Sequence, residues 1–252
     1  MRENKLRSIW QGGAAAVNGW LAIANSFSAE TMAQQGWDSL TVDLQHGMVD
    51  YQSMIPMLQA ISTTETVPIV RVPWLEPGIL MKVLDAGAYA VICPMVNTRE
   101  DAQRLVAYTH YAPQGTRSFG PIRATLYGGA DYFQHANRTI VTFAMIETAQ
   151  ALDNLDDILS KSRAASYVVL AKDRQTASLV IDALDLHTDP SALVVGERAV
   201  GEGVVGLLGV AAALEEQQEV LVPRRDAGFQ HRVDARADVL PDLRPHRVRG
   251  LA

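Results

Sequence analysis

Apolar and polar positions fall into alternating blocks through the first two thirds of the chain. Short, nearly continuous apolar runs recur at 19–25 (GWLAIAN), 39–44 (SLTVDL), 67–73 (VPIVRVP), 90–96 (AVICPMV), 140–148 (IVTFAMIET) and 166–173 (SYVVLAKD). Each has the length and pattern of a strand buried on both faces. Between them lie stretches with helical spacing at 28–37, 51–63, 76–88, 98–111 and 149–160. Ser28 and Thr98 are suited to open two of these helices, and Gly36 and Gly87 to close two. Pro77 fits a first turn, whereas Pro56 interrupts its segment. Strand followed by helix, repeated, predicts a parallel sheet in an α/β protein. Six such strands before residue 175 of a 252-residue chain predict a single-domain (β/α)8 TIM barrel rather than an open doubly wound sheet. No strand is followed by a glycine-rich dinucleotide or Walker loop, which weakens the nucleotide-binding alternative.

Composition narrows the function classes. Hydrophobic residues make up 48% and charged residues 20% of the chain, as in ordinary globular proteins. The net charge of −6 argues against nucleic acid as a partner. One cysteine, Cys93, excludes an intrachain disulfide and a cysteine-based zinc site, and is read as a small buried hydrophobe. No apolar stretch suits a signal peptide or a membrane span, so a cytoplasmic protein is expected.

The polar residues that interrupt this pattern collect at the ends of the strand-like runs. Asp43, Gln45, His46 and Gly47 follow the second, Arg71 lies in the third, Glu147 ends the fifth and Asp173 the sixth. In a parallel barrel these ends converge on the catalytic face. His46 suits a general base, against the alternative of a loop histidine in solvent. Arg71, alone in an apolar strand, needs an anion: a structural carboxylate, or a substrate carboxylate or enolate oxygen. Glu147 and Asp173 suit a hard divalent cation. Asp85, near a helix end, is by itself a surface acid. The loop 112–121 around Arg117 is a plain turn or a substrate-facing loop that Arg123 and Tyr127 extend.

The segments GWLAIANSFSAETMAQQGWDSLTVDLQHG, PIVRVPW, VLDAGAYAVICPMVNTREDAQRLVAYTHYAPQGTRSFGP and MIET, in that order, resemble the HpcH/HpaI aldolases over residues 10–160. These are class II pyruvate aldolases such as 4-hydroxy-2-oxoheptanedioate aldolase. The resemblance implies a (β/α)8 barrel of the phosphoenolpyruvate/pyruvate type, assembled as a hexamer or trimer of dimers. It implies reversible aldol cleavage of a 4-hydroxy-2-oxo acid to pyruvate and an aldehyde, with Mg²⁺, Mn²⁺ or Co²⁺ as cofactor. It places the catalytic base on His46, the transition-state arginine on Arg71, the acid supporting the base on Asp85, and the metal carboxylates on Glu147 and Asp173. Oxaloacetate decarboxylation and a catalytically impaired barrel are the alternatives.

The chain departs from that pattern in three places. Met145 stands where the family has a substrate-binding Gln, whereas Gln45, in place of the more familiar Glu, is compatible with a DLQHG subgroup of the family. The stretch SYVVLAKDRQTAS replaces the GPADLS-like motif that carries the second metal acid, which puts Lys172 beside Asp173. From 161 to 252 the family pattern is lost and the barrel is expected to be atypical and incomplete. Strands are suggested at 191–197 and 219–223, no lysine follows Lys172, and the arginine-rich end has the composition of loop or disorder. A diverged tail and an altered reading frame both account for that composition.

Overall fold

A computed structural model describes residues 1–12 and 16–159, together with the strand backbones at 167–171, 193–200 and 203–210. All lie within one compact unit, residues 1–217. Strands β1 (Ala16–Leu21), β2 (Ser39–Asp43), β3 (Val67–Arg71), β4 (Ala90–Cys93), β5 (Val141–Ile146), β6 (Tyr167–Ala171) and β7 (Leu193–Val200) pair in order and in parallel. Every residue of β2 to β5 is buried, as expected of strands covered on both faces.

The closing strands differ from the all-parallel (β/α)8 expectation. Strand β8 (Gly203–Val210) runs antiparallel to both β7 and β1. Only residues 201 and 202 separate β7 from β8, and a parallel crossover needs a dozen residues or more. The expected strand at 191–197 overlaps β7, while 219–223 lies outside the described residues.

Helices α2 (Ser26–Ala33), α3 (Tyr51–Ile61), α4 (Pro77–Asp85) and α5 (Arg99–Thr109) alternate with the strands. In α3, Met54, Met57, Leu58 and Ile61 form the buried stripe, and Asp50 with Ser53 closes a capping box. Pro56 is tolerated because it is exposed there and water can reach the carbonyl it leaves unpaired. The last expected helix divides into α8 (Ala149–Asp153) and α9 (Leu155–Leu159). Among the described residues, no helix is long and apolar enough to cross a membrane.

Helix α1 (Lys5–Gln11) binds the N-terminal ends of the strands. Asn4 Nδ2 donates to the carbonyls of Tyr89 and Thr139, and Arg7 to those of Thr139 and Ile140, just before β4 and β5. Trp10 packs edge-on to Phe143 at 6.2 Å. Between the loop 112–121 and β5 lie α6 (Ile122–Gly128) and α7 (Tyr132–Thr139), where the sequence suggested no element.

Candidate active site

Strand register builds the site. Asp43 is opposite Arg71 across β2 and β3, and Thr41 is opposite Trp20 across β1 and β2. Directly paired residues share a face, so Trp20, Asp43 and Arg71 point to the same side of the curled sheet. That face is polar one layer down, where Asn18 Oδ1 accepts hydrogen bonds from Ser39 Oγ and Thr41 Oγ1 at 2.9 and 3.1 Å.

Asp43 organises the strand end. Its Oδ1 accepts from Arg71 Nε at 2.9 Å, and its Oδ2 from Arg71 Nη2 at 2.6 Å. This is the bidentate fork that an arginine makes with a carboxylate. The Trp20 indole N–H donates to Oδ2 at 3.2 Å, and the Arg71 guanidinium carbon lies 4.7 Å from the Trp20 ring centre. Burial pushes the Asp43 carboxyl up, but the hydrogen bonds and charge of Arg71, helped by Gln45 and Trp20, outweigh it and hold the carboxyl below its usual value. Asp43 and Arg71 are both buried, at 2% and 8% exposure, so the pair stands or falls together.

The same carboxylate shapes the loop that carries His46. Oδ1 also accepts from the backbone N–H of Gln45 at 3.0 Å and of His46 at 3.3 Å. His46 is exposed at the strand end. Gly47 follows because a Cβ there would collide with the Asp43 carbonyl and sit 3.1 Å from Ala22 Cα. Met48 N–H then donates to the Ala22 carbonyl at 2.8 Å, which ties this loop to the one after β1. Gln45 Oε1 is buried without a hydrogen-bond partner among the described residues.

Glu147 sits at the same end, just past β5. Its Oε1 accepts from the Met95 N–H at 2.7 Å. Met95 has a φ of 56°, a left-handed conformation unusual for its type, and so turns its N–H towards the glutamate. Asn97 takes a hydrogen bond from Thr148 and another from Asn154, fastening the loop after β4 to the one after β5. The second Glu147 oxygen makes no hydrogen bond among the described residues. A free carboxylate oxygen at a strand end is a fitting ligand for a hard cation. Asp173 lies outside the described residues. Among the described residues no three metal-ligating side chains cluster.

Asp85, which the resemblance makes the acid supporting His46, lies away from His46 within one chain. It ends α4, which runs back from the C-terminal end of β3, so it lies at the N-terminal ends of the strands. There it accepts from Arg117 Nη2 at 2.7 Å, and Arg117 also donates to the Tyr132 hydroxyl at 3.1 Å. The loop 112–121 lies at this end too. Arg123 donates to the Ala86 carbonyl and to Ser62 Oγ, and Tyr127 packs on Tyr89 at 4.9 Å. Within one chain both side chains thus lie at the Asp85 end of the strands. Met145 is buried in β5 and Cys93 in β4, where burial pushes the thiol up. Trp20 is not among the candidates read from the sequence, where it falls inside the apolar run 19–25; the extent of β1 from Ala16 puts it on the same face as Asn18.

A family model for HpcH/HpaI aldolase/citrate lyase matches residues 18–191. The match runs past residue 160, the limit of the resemblance read from the sequence, and takes in Asp173. The chain is 46% identical over 157 residues to a hydroxypyruvate/pyruvate aldolase of Rhizorhabdus wittichii, with 62% of each protein covered. It is 36% identical over 157 residues to a 5-keto-4-deoxy-D-glucarate aldolase of Escherichia coli, covering 62% of this chain and 61% of that one. The matches thus span less than two thirds of these relatives. Among solved structures, a HpcH/HpaI aldolase/citrate lyase family protein from Burkholderia cenocepacia is similar, with a TM-score of 0.61, 27% identity and 72% of each chain covered.

Proposed function

We propose, because this chain belongs to the HpcH/HpaI aldolase/citrate lyase family, that it is a carbon–carbon lyase cleaving a 4-hydroxy-2-oxo acid reversibly to pyruvate and an aldehyde. The observation that carries the reading is the Asp43–Arg71 fork beside His46, with Glu147 at the same strand end. Arg71 spends Nε and Nη2 on Asp43 and keeps Nη1 for a substrate oxygen. A fixed guanidinium there stabilises the negative charge that grows on the 2-oxo oxygen as the carbon–carbon bond breaks. His46 takes the proton of the 4-hydroxyl and returns it in the condensation direction. Gln45 Oε1, buried and unpaired, suits a hydroxyl or water donor next to the base.

The residues present fit a divalent cation as far as Glu147 goes, and Asp173 would be its second protein ligand. Such an ion, when bound, supplies Lewis acidity towards the 2-oxo acid. Asp85 enters the proposal as a positioning residue for His46 contributed by a second copy of the chain, since within one chain the two occupy opposite ends of the strands. This accords with the hexameric or trimer-of-dimers assembly that the family resemblance implies.

The test is cleavage of 4-hydroxy-2-oxo acids by the purified full chain, following pyruvate release with and without a chelator. Metal-dependent release that His46→Ala removes supports the proposal. No release from any such acid, with Mg²⁺, Mn²⁺ or Co²⁺ supplied, overturns it in favour of an impaired barrel.

A further inference from the structure

We infer that Trp20 is a positioning residue for Arg71, a role that rests on the reading of Arg71 as the group that stabilises the reacting oxygen. Two independent contacts converge on it. The Trp20 N–H donates to Asp43 Oδ2 at 3.2 Å, and its ring lies against the Arg71 guanidinium at 4.7 Å. The first contact adds to the backbone N–H groups that hold the carboxylate, and the second fixes the plane of the guanidinium. Asp43 alone cannot do both. The Gln45 and His46 N–H groups hold its carboxylate and the fork holds one edge of Arg71, but none of these contacts restrains the guanidinium out of its plane. Trp20 closes that freedom from below and covers one face, so the Nη1 edge is what remains for a substrate.

The local sequence explains why a tryptophan can sit there. Asn18 and Trp20 alternate onto the inward face of β1, in register with Ser39 and Thr41 of β2. Gly19, between them, faces the other way, where a Cβ would lie 2.5 Å from Leu40 Cδ2 and 3.1 Å from the Trp37 ring. Strand β1 therefore approaches its outer neighbours closely and leaves the bulk to the inner side. No other residue type supplies a flat ring and a ring N–H donor at this reach, apart from the much smaller histidine.

The experiment compares the full-length wild type with Trp20→Phe and Trp20→Leu by two readouts. The first is the side-chain Nε–H resonance of Arg71 in a ¹⁵N-labelled protein, assigned by its loss in Arg71→Lys. The second is the kcat and KM of pyruvate-releasing cleavage. In Trp20→Leu the Arg71 Nε–H is expected to exchange with water about tenfold faster or more, and kcat to fall about 10- to 100-fold with KM changed less than about threefold. Trp20→Phe, which keeps the ring and loses the donor, should fall between. In an Arg71→Lys background, Trp20→Leu should cost no more than about twofold further, because the residue it acts through is already gone.

An unchanged Arg71 resonance in Trp20→Leu overturns the inference, as does an equal loss in the Arg71→Lys background, which would mark a general structural effect. If Trp20→Leu does not fold, Trp20→Phe decides by the same resonance. Should the wild type release no pyruvate, the aldolase proposal fails, and the resonance still decides whether Trp20 holds Arg71.

Discussion

Replacing Asp43 with Asn is the sharpest perturbation of the site's framework. The substitution conserves shape, so packing is not the variable. It removes the charge opposite Arg71, which is only 8% exposed. It also exchanges one acceptor for an NH₂ group. With the amide oxygen kept on the Gln45 side, the new NH₂ faces two donors, Arg71 Nη2 and the Trp20 indole, and two hydrogen bonds become donor–donor conflicts. Breaking a buried ion pair from one side costs about 3–5 kcal/mol, because the other charge stays buried without a partner. The assay is urea unfolding across pH. The folded carboxyl lies below the usual 3.8, so its contribution is complete above that pH and is lost as pH falls through the folded value. The gap between wild type and Asp43→Asn should therefore be full at pH 7 and shrink in acid. Asp43→Leu with Arg71→Met removes both charges and should recover most of the lost stability while abolishing activity. A loss below about 1 kcal/mol at pH 7, the range of an exposed pair, would refute the reasoning.

Two further outcomes follow from the same geometry. Gly47→Ala should cost about 1–3 kcal/mol and lower activity, because its Cβ meets the Asp43 carbonyl and Ala22 backbone and the His46 loop has to shift; circular dichroism melts and cleavage rates check both. His110 is buried at 2% exposure, and burial holds its imidazole below the usual 6.5. Stability should therefore decline as pH falls below that value, and His110→Gln should flatten the decline in unfolding midpoints between pH 7 and 5.

How far the sequence disclosed this arrangement depends on which force set each part. The strands were legible because burial on both faces leaves long apolar runs, and the site was legible where those runs stop, at Asp43 and Glu147. Arg71 stood out as a lone charge in an apolar strand. Its partner did not, because Asp43 meets Arg71 only through the register of β2 on β3. Helices α6 and α7 escaped notice because they are short and put Ile122, Leu126 and Phe133 on the surface, so no full buried stripe marks them. Asp85 carried the family's motif, but a motif does not say where its helix ends; the direction of α4 puts Asp85 at the end of the strands away from His46. The antiparallel turn of β8 was hidden because a glycine- and valine-rich run fits a strand of either direction.

The central claim is that the β2–β3 strand end forms and quenches a pyruvate enolate. It is tested most directly by incubating the full chain with pyruvate and Mg²⁺ or Mn²⁺ in D₂O and following the methyl signal by ¹H NMR, with no aldehyde needed. The account predicts that the methyl protons exchange at a rate that the wild type sustains and that Arg71→Lys and His46→Ala each reduce at least about tenfold. Exchange no faster than in buffer with the metal alone would contradict it.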